Sequence, residues 1–251
     1  MMKLRLDKLL LERGLVPSRE RAQALILAGR VMVNEEKIDK PGTSVASDAS
    51  IRMLGDDLRY VSRGGLKLER ALQHWQINLN GKTCLDVGTS TGGFTDCMLQ
   101  RGAATVIAVD TGYGQIDARL RYDERVILLE KTNARYLTAQ QLGRTIDFFA
   151  MDVSFISATL VLPAVLAAIR SQVLGSPAQV EGVVLVKPQF EAGREAVGKG
   201  GIVRDEKTQH AAVDRVRDIV CQLGGVEIES IDSPILGTEG NREFLLHSLF
   251  R

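Results

Sequence analysis

From Thr83 onward, short runs rich in β-branched and other apolar residues alternate with stretches whose apolar residues recur at helical spacing. Seven runs are legible: Thr83 to Val87, Thr105 to Val109, Val126 to Leu129, Ile146 to Met151, Val183 to Val186, Val226 to Ile231 and Phe244 to Leu249. A helical stretch fits between most neighbours. Antiparallel neighbours can be joined by tight turns, whereas parallel ones need a crossover, usually helical. The pattern therefore predicts an open, mostly parallel α/β sheet of seven strands with helices on its faces. In such sheets ligands sit at the carboxyl ends of the strands, beside the point where strand order reverses. Residues that end a strand are the first place to look for chemistry.

The residues ahead of this alternation follow another pattern. Leu6, Leu9 and Leu10 keep helical spacing up to Gly14, Ser18 is placed to cap a second helix, and Ala22, Leu25 and Ile26 form a stripe closed by Gly29. Val31 to Asn34 reads as a short strand, Asn34-Glu35-Glu36 as a turn-prone stretch, and a second strand is expected around Val45 to Met53. These elements make a small α+β module. Gly55-Asp56-Asp57 marks a loop, and Ser62-Arg63-Gly64-Gly65 is expected to be flexible before a helix from Leu66 to Trp75. The chain is thus expected to divide into residues 1–60 and 61–251. Although 32 Lys and Arg nearly balance 31 Asp and Glu, residues 1 to 31 hold seven basic side chains against three acidic ones. Lys3, Arg5, Lys8, Arg19 and Arg21 lie off the apolar stripes, where they are presented to a polyanion. On charge alone, a solvated face is the commoner meaning of such a cluster.

Several classes are excluded. Cys84, Cys97 and Cys221 form no C-x-x-C pair, and His74, His210 and His247 are scattered singly, so neither a disulfide framework nor a metal cluster is expected. Met1-Met2-Lys3-Leu4-Arg5-Leu6-Asp7 puts charges where a secretory signal needs an apolar run, and a cytoplasmic setting is expected. The longest apolar run, Ala158 to Ile169, contains Thr159 and Pro163 and is far shorter than the roughly 20 residues that span a bilayer. It reads as a buried helix.

The first strand ends in Leu85-Asp86-Val87-Gly88-Thr89-Ser90-Thr91-Gly92-Gly93-Phe94-Thr95, which opens a helix. Glycines there let the backbone approach a ligand, and the helix amino terminus offers unpaired N–H groups. The spacing G-x-x-x-G-G differs from the G-x-G-x-x-G of a dinucleotide pyrophosphate site, and Asp86 would repel phosphates. A cofactor without phosphates, such as S-adenosyl-L-methionine, suits the segment better. Asp110 ends the second strand 22 residues after Gly88, where a carboxylate can bind a ribose diol. Asp152 ends the fourth strand, Lys187 ends the fifth, and Glu243 stands just before the last. Taken singly, such residues are usually surface ion pairs.

Residues 4 to 53 resemble the small RNA-binding domain named after ribosomal protein S-four. The likeness is carried by Arg5-Leu6-Asp7-Lys8-Leu9-Leu10, by R-x-x-A-x-x-L-I-x-x-G-x-V-x-V-N from Arg19 to Asn34, and by Lys37. The remainder resembles the FtsJ-like ribose methyltransferases through Ser62 to Leu68, Asp86 to Thr95, Asp110 to Gln115, Thr132 to Arg135, Asp152 to Ser157 and Leu185 to Glu191. The combination, over nearly the whole chain, is similar to the TlyA family of ribosomal RNA methyltransferases, also called haemolysins. The resemblance implies a Rossmann-like methyltransferase sheet with an antiparallel last strand, joined to an amino-terminal RNA-binding domain. It further implies S-adenosyl-L-methionine as methyl donor, ribosomal RNA or ribosomal subunits as partner without membrane or metal, and 2'-O-methylation of a ribose, that of a cytidine. The family's catalytic tetrad falls on Lys67, Asp152, Lys187 and Glu243. The cofactor is expected with Asp86 at its methionine end, Gly88, Gly92, Gly93 and Phe94 packed against it, Asp110 at its ribose, and Asn133 and Ala134 beside its adenine. Lys3, Arg5, Lys8, Arg19 and Arg21 are expected to meet RNA phosphates.

The tetrad suits that reaction. Methyl transfer to a hydroxyl is an in-line displacement in which the nucleophile must be aligned and lose its proton. Lys187 is expected to take that proton or stabilise the alkoxide, Asp152 and Glu243 to orient the two lysines, and Lys67 to hold the ribose or phosphate. An exocyclic-amine methyltransferase would carry an Asn/Asp-Pro-Pro-aromatic loop where Asp152-Val153-Ser154-Phe155 stands. A carbon-5 pyrimidine methyltransferase needs a nucleophilic cysteine, usually after proline, and none of the three follows one. A membrane-lytic protein and a non-catalytic RNA-binding factor are the remaining alternatives. The first has no spanning segment to support it, and the second is disfavoured by four filled tetrad positions.

Overall fold

The computed structural model describes residues 3–16, 18–54, 59–171, 179–237 and 240–250, so the loop expected at Gly55 to Asp57 lies outside the described residues. The chain divides into two compact units, Met1–Asp57 and Leu58–Arg251.

The first unit runs β1 (Lys3–Arg5), α1 (Leu6–Glu12), α2 (Arg19–Leu27), β2 (Val31–Val33), β3 (Glu36–Ile38), β4 (Ser44–Ala46) and β5 (Ile51–Met53). Ser18 caps α2 as the sequence predicts, its hydroxyl accepting the Arg21 N–H at 3.2 Å. Leu6, Leu9, Leu10, Ala22 and Ile26 are buried together with Val31 and Val33. The turn expected after Val33 is present, with Asn34 and Glu35 at φ of 51° and 66°, but it joins β2 to a strand that is not expected, β3, to which Glu36 already belongs. Glutamate at a left-handed position lacks the Asn-Gly signal that marks such turns. The single strand expected over Val45 to Met53 is two strands in two sheets, β4 pairing with β1 and β5 with β2.

The second unit runs α3 (Gly64–His74), β6 (Thr83–Val87), α4 (Gly93–Gln100), β7 (Thr105–Val109), α5 (Ala118–Arg121), β8 (Val126–Leu129), α6 (Ala139–Leu142), β9 (Phe148–Met151), α7 (Ala158–Arg170), β10 (Val180–Val186), α8 (Pro188–Glu191), α9 (Glu206–Gln222), β11 (Gly225–Asp232) and β12 (Phe244–Phe250). Its seven strands form one sheet in the order β11-β12-β10-β9-β6-β7-β8. All neighbours pair in parallel except β12, which runs antiparallel to both β10 and β11. The period-two alternation of strands splits the core. Leu85, Phe149 and Val184 pack with α7 and α9 on one face, while Cys84, Phe148 and Leu185 pack with α3 and α4 on the other. The run at Ala158 forms α7, buried on one face, with Pro163 inside it and Leu160, Pro163 and Ala167 exposed on the other. Among the described residues no helix is long and apolar enough to cross a membrane.

The Ser62 to Gly65 stretch is packed rather than loose. Gly64 and Gly65 begin α3, and a Cβ on Gly93 would press against the Gly65 N and the Ser62 hydroxyl. Glycine is needed here so that the starts of α3 and α4 can touch.

Candidate active site

Five strand ends meet at one edge of the sheet. β6 delivers Gly88, β7 Asp110, β9 Asp152 and β10 Lys187, each immediately after the last strand residue. β12 runs the other way, so its start reaches the same edge. Phe244 pairs with Val186, which sets Glu243 beside Lys187. Lys67 enters from α3.

The four tetrad residues come together as two pairs. Lys67 Nζ donates to Glu243 Oε2 at 2.5 Å, across 176 sequence positions. Lys187 Nζ lies 2.6 Å from Asp152 Oδ1 and donates to Ser154 Oγ at 2.6 Å. Lys67, Lys187 and Glu243 are 8%, 8% and 3% exposed. Ions this buried persist only with close partners, because each alone would carry a large desolvation cost. A cavity of about 280 Å³ is lined by all four, together with Gly88, Gly93 and Phe94.

A second cavity, of about 570 Å³, falls within the size range of small-molecule sites. Gly88, Asp110, Asn133, Ala134 and Asp152 line it. The Asp110 carboxylate is held rigidly, Oδ2 accepting the Ser90 N–H and Oδ1 the Gly112 N–H, both at 2.7 Å. Its remaining lone pairs can accept from a diol. A third cavity, of about 390 Å³, is bounded by Phe155, Phe190, Gln189, Lys187 and Glu243. Ser154 lines all three.

Asp86 and Gly92 line none of the three. Strand alternation turns Asp86 toward the α4 face, where it is fully buried and its Oδ2 accepts the Thr95 hydroxyl at 2.6 Å. Its Oδ1 has no partner within the protein. Burial, with added repulsion from Asp152 and Asp110, pushes the carboxyl up to about 7 against the hydrogen bond from Thr95. The Asp86–Thr95 bond thus ties the end of β6 to the first turn of α4, across the glycine loop. Gly92, at φ 96°, packs on Leu120 and Ile116.

Sequence reasoning passed over Ser154 and Glu191 as site residues, although both stand inside segments that carry the family resemblance. A lone serine or glutamate announces nothing until its partners are known.

In the first unit, Lys3, Arg5 and Lys8 are exposed and Arg19 and Arg21 half-buried. Arg5 and Arg19 do not stand clear of other groups as the sequence reading expects. Both pair with fully buried Asp7, Arg5 Nη2 at 3.0 Å and Arg19 Nε at 2.9 Å from Oδ2, and Gln23 Nε2 donates to the same oxygen at 3.1 Å. A carboxylate buried at the start of α1 requires cations, and these two are in reach.

The FtsJ-like methyltransferase family matches residues 60–250, and the S4 domain matches residues 4–51. The 16S/23S rRNA (cytidine-2'-O)-methyltransferase TlyA of Mycobacterium tuberculosis is 42% identical over 243 residues, which span 96% of this chain and 88% of that protein. A solved structure from Streptococcus thermophilus, provisionally named a hemolysin, is 41% identical with a TM-score of 0.75 over 100% of this chain and 89% of that one. A provisionally named S-adenosylmethionine-dependent methyltransferase structure from Listeria monocytogenes shares the fold alone, at 15% identity and a TM-score of 0.53, covering 76% of this chain and 100% of that one.

Proposed function

The chain belongs to the TlyA family, an FtsJ-like methyltransferase domain preceded by an S4 domain, and from that premise we propose that it methylates the ribose 2'-hydroxyl of a cytidine in ribosomal RNA. S-adenosyl-L-methionine, when bound, supplies the methyl group on an electrophilic sulfonium. The second cavity fits the donor's nucleoside: Asp110 offers a fixed acceptor for a ribose diol, and Asn133 and Ala134 flank the space for a base. Gly88 leaves room beside Asp152 that a side chain would fill. The Asp86–Thr95 bond joins the two ends of the glycine loop.

The observation that carries the reading is the meeting of the Lys67–Glu243 and Lys187–Asp152 pairs on one cavity that shares Gly88 and Ser154 with the donor cavity. Lys187 takes the proton of the attacking hydroxyl when its own amine is neutral, or as an ammonium stabilises the developing alkoxide. Asp152 and Ser154 fix its Nζ between them. Lys67, aligned by Glu243, holds the ribose or its phosphate. The third cavity, with Phe155 and Phe190 on its walls, opens on Lys187 and gives the target nucleotide a way in. Lys3, Arg5, Lys8, Arg19 and Arg21 meet RNA phosphates from the S4 domain, so the work is done where ribosomes are, in the cytoplasm.

Incubation with ribosomal subunits and labelled S-adenosyl-L-methionine, followed by mapping of 2'-O-methyl marks, tests the proposal. A mark on a cytidine ribose in either subunit is the expected result. Methylation on a base, or lysis of red cells by purified protein without any RNA mark, would refute it.

A further inference from the structure

Two loops carry the groups assigned to the transfer step, and one buried carboxylate joins them. Glu191 closes α8 one turn after Lys187, whose carbonyl accepts the Phe190 N–H at 2.9 Å and the Glu191 N–H at 3.3 Å. Glu191 is 3% exposed. Its Oε1 accepts the Ala158 N–H at 2.7 Å, and its Oε2 accepts the Ser157 hydroxyl. Ser157 and Ala158 start α7, and the loop directly ahead of them contains Asp152, Ser154 and Phe155. The circuit closes where Lys187 Nζ returns to Ser154 Oγ and Asp152 Oδ1, each at 2.6 Å.

Three observations separate this from ordinary helix capping. Ser157 already caps α7, its Oγ accepting the Thr159 N–H at 3.1 Å, so a further carboxylate is not needed to start the helix. Arg215 Nη1 donates to the main-chain carbonyl of Glu191, at 2.5 Å, rather than to its carboxylate. Burial outweighs the hydrogen bonds from Ser157 and Ala158 and the charge of Arg215, and raises the Glu191 carboxyl above its ordinary value, an arrangement that an apolar residue would avoid. The loop also needs holding: Phe155 is 93% exposed with φ of 64°, a left-handed conformation costly for a bulky side chain.

We propose that Glu191 is a positioning residue for methyl transfer, clasping the Asp152 to Ser157 loop to the turn that carries Lys187 and thereby holding Lys187, Ser154 and Asp152 in register. Glu191 lines none of the three cavities and acts through these residues. The inference rests on the assignment of Lys187 to the transfer step.

The test uses full-length Glu191→Ala, Glu191→Gln and Ser157→Ala. Single-turnover methylation of ribosomal subunits, expressed per folded molecule, should fall on the order of 10²-fold in Glu191→Ala, the scale of a small misplacement of reacting groups. KM for the subunits should stay near wild type. Glu191→Gln should recover most of the rate, because its amide oxygen still accepts the Ala158 N–H and the Ser157 hydroxyl can turn to accept from its amide nitrogen. Ser157→Ala should fall between. Amide exchange of residues 152–158, read on protein alone, should rise in Glu191→Ala and not in Glu191→Gln. Normal turnover in Glu191→Ala, an equal loss in Glu191→Gln, or unchanged exchange would each overturn the clasp. If the wild type puts no methyl group on ribose, the functional reading falls, while the exchange data still decide whether the clasp exists.

Discussion

Gly88 and Asp152 are so close that a Cβ on Gly88 would collide with the main-chain carbonyl of Asp152. The Asp152 N–H in turn donates to the Val87 carbonyl at 2.9 Å. The glycine loop after β6 and the loop after β9 are therefore one packed unit. The second cavity and the tetrad share a wall, so a change in either is felt in both.

Gly88→Ala tests that coupling. Gly88 has φ of 89°, which alanine resists, and the new methyl group would push Asp152 away from Lys187. Both S-adenosyl-L-methionine affinity and single-turnover rate should drop by at least about tenfold, a backbone displacement of ordinary size. Calorimetry paired with single-turnover methylation reads the two effects. Loss of one without the other would show that the loops move independently.

Lys187→Ala should fold and bind both S-adenosyl-L-methionine and RNA, yet lose about 10²-fold or more in turnover, the scale of a missing acid–base or alkoxide-stabilising group. Lys187→Arg should not restore it, since a guanidinium cannot accept the hydroxyl proton and its fork does not fit the 2.6 Å contacts to Asp152 and Ser154. Near-normal rates in both variants would remove Lys187 from the reaction.

Asp86 gives a pH dependence with a definite sign. An unfolded carboxyl titrates near its ordinary 3.8, whereas burial holds Asp86 protonated in the fold up to about 7. The folded state therefore binds the extra proton between these values, and the stability that Asp86 contributes is greatest below about pH 4 and is lost as pH rises through 7. The full effect is on the order of 4 kcal/mol. Asp86→Asn keeps the shape and cannot ionise, so its melting temperature should gain on the wild type from pH 5 to pH 8, in protein free of cofactor. Parallel curves would show that Asp86 is already compensated.

The sheet was legible because its strands obey a period of two and its crossovers a period near 3.6, and both are local properties. The same locality explains why Asp110, Asp152 and Lys187 stood out, each directly following a readable strand. Lys67 and Glu243 become partners only through the reversal of β12, which periodicity does not encode. Asp86 is expected at the cofactor because it stands two residues before Gly88; alternation along β6 gives its Oδ2 to Thr95 and leaves its Oδ1 without a protein partner, which no sequence pattern announces. The turn at Asn34 and Glu35 is readable, but the strand it leads into, Glu36 to Ile38, is short and mostly exposed and carries no apolar alternation to announce it. The basic residues of the first unit were counted as charge, while Asp7, their organiser, reads as one more acidic residue until its burial is known.

Asp7→Ala separates organised charge from charge alone. Hydrogen bonding from Arg5, reinforced by Gln23 and Arg19, holds the Asp7 carboxyl well below its ordinary value despite its burial. Its contribution to stability is thus present above about pH 4 and is lost as pH falls through the folded value. Removing it should destabilise α1 and α2 by about 2 kcal/mol, the scale of charge-assisted hydrogen bonds lost from one buried acceptor, visible as faster amide exchange over residues 6–27. The variant is also more positive by one charge. If RNA recognition depended only on net charge, it should bind ribosomal RNA more tightly. The structure instead fixes the guanidinium groups of Arg5 and Arg19 on a common carboxylate, and fixed donors position phosphates better than mobile ones. Binding at moderate salt should therefore weaken, on the order of tenfold, with a salt slope close to wild type because the cations proposed to contact phosphate are all retained. Tighter binding would show that these residues act as diffuse charge and that Asp7 serves only the fold.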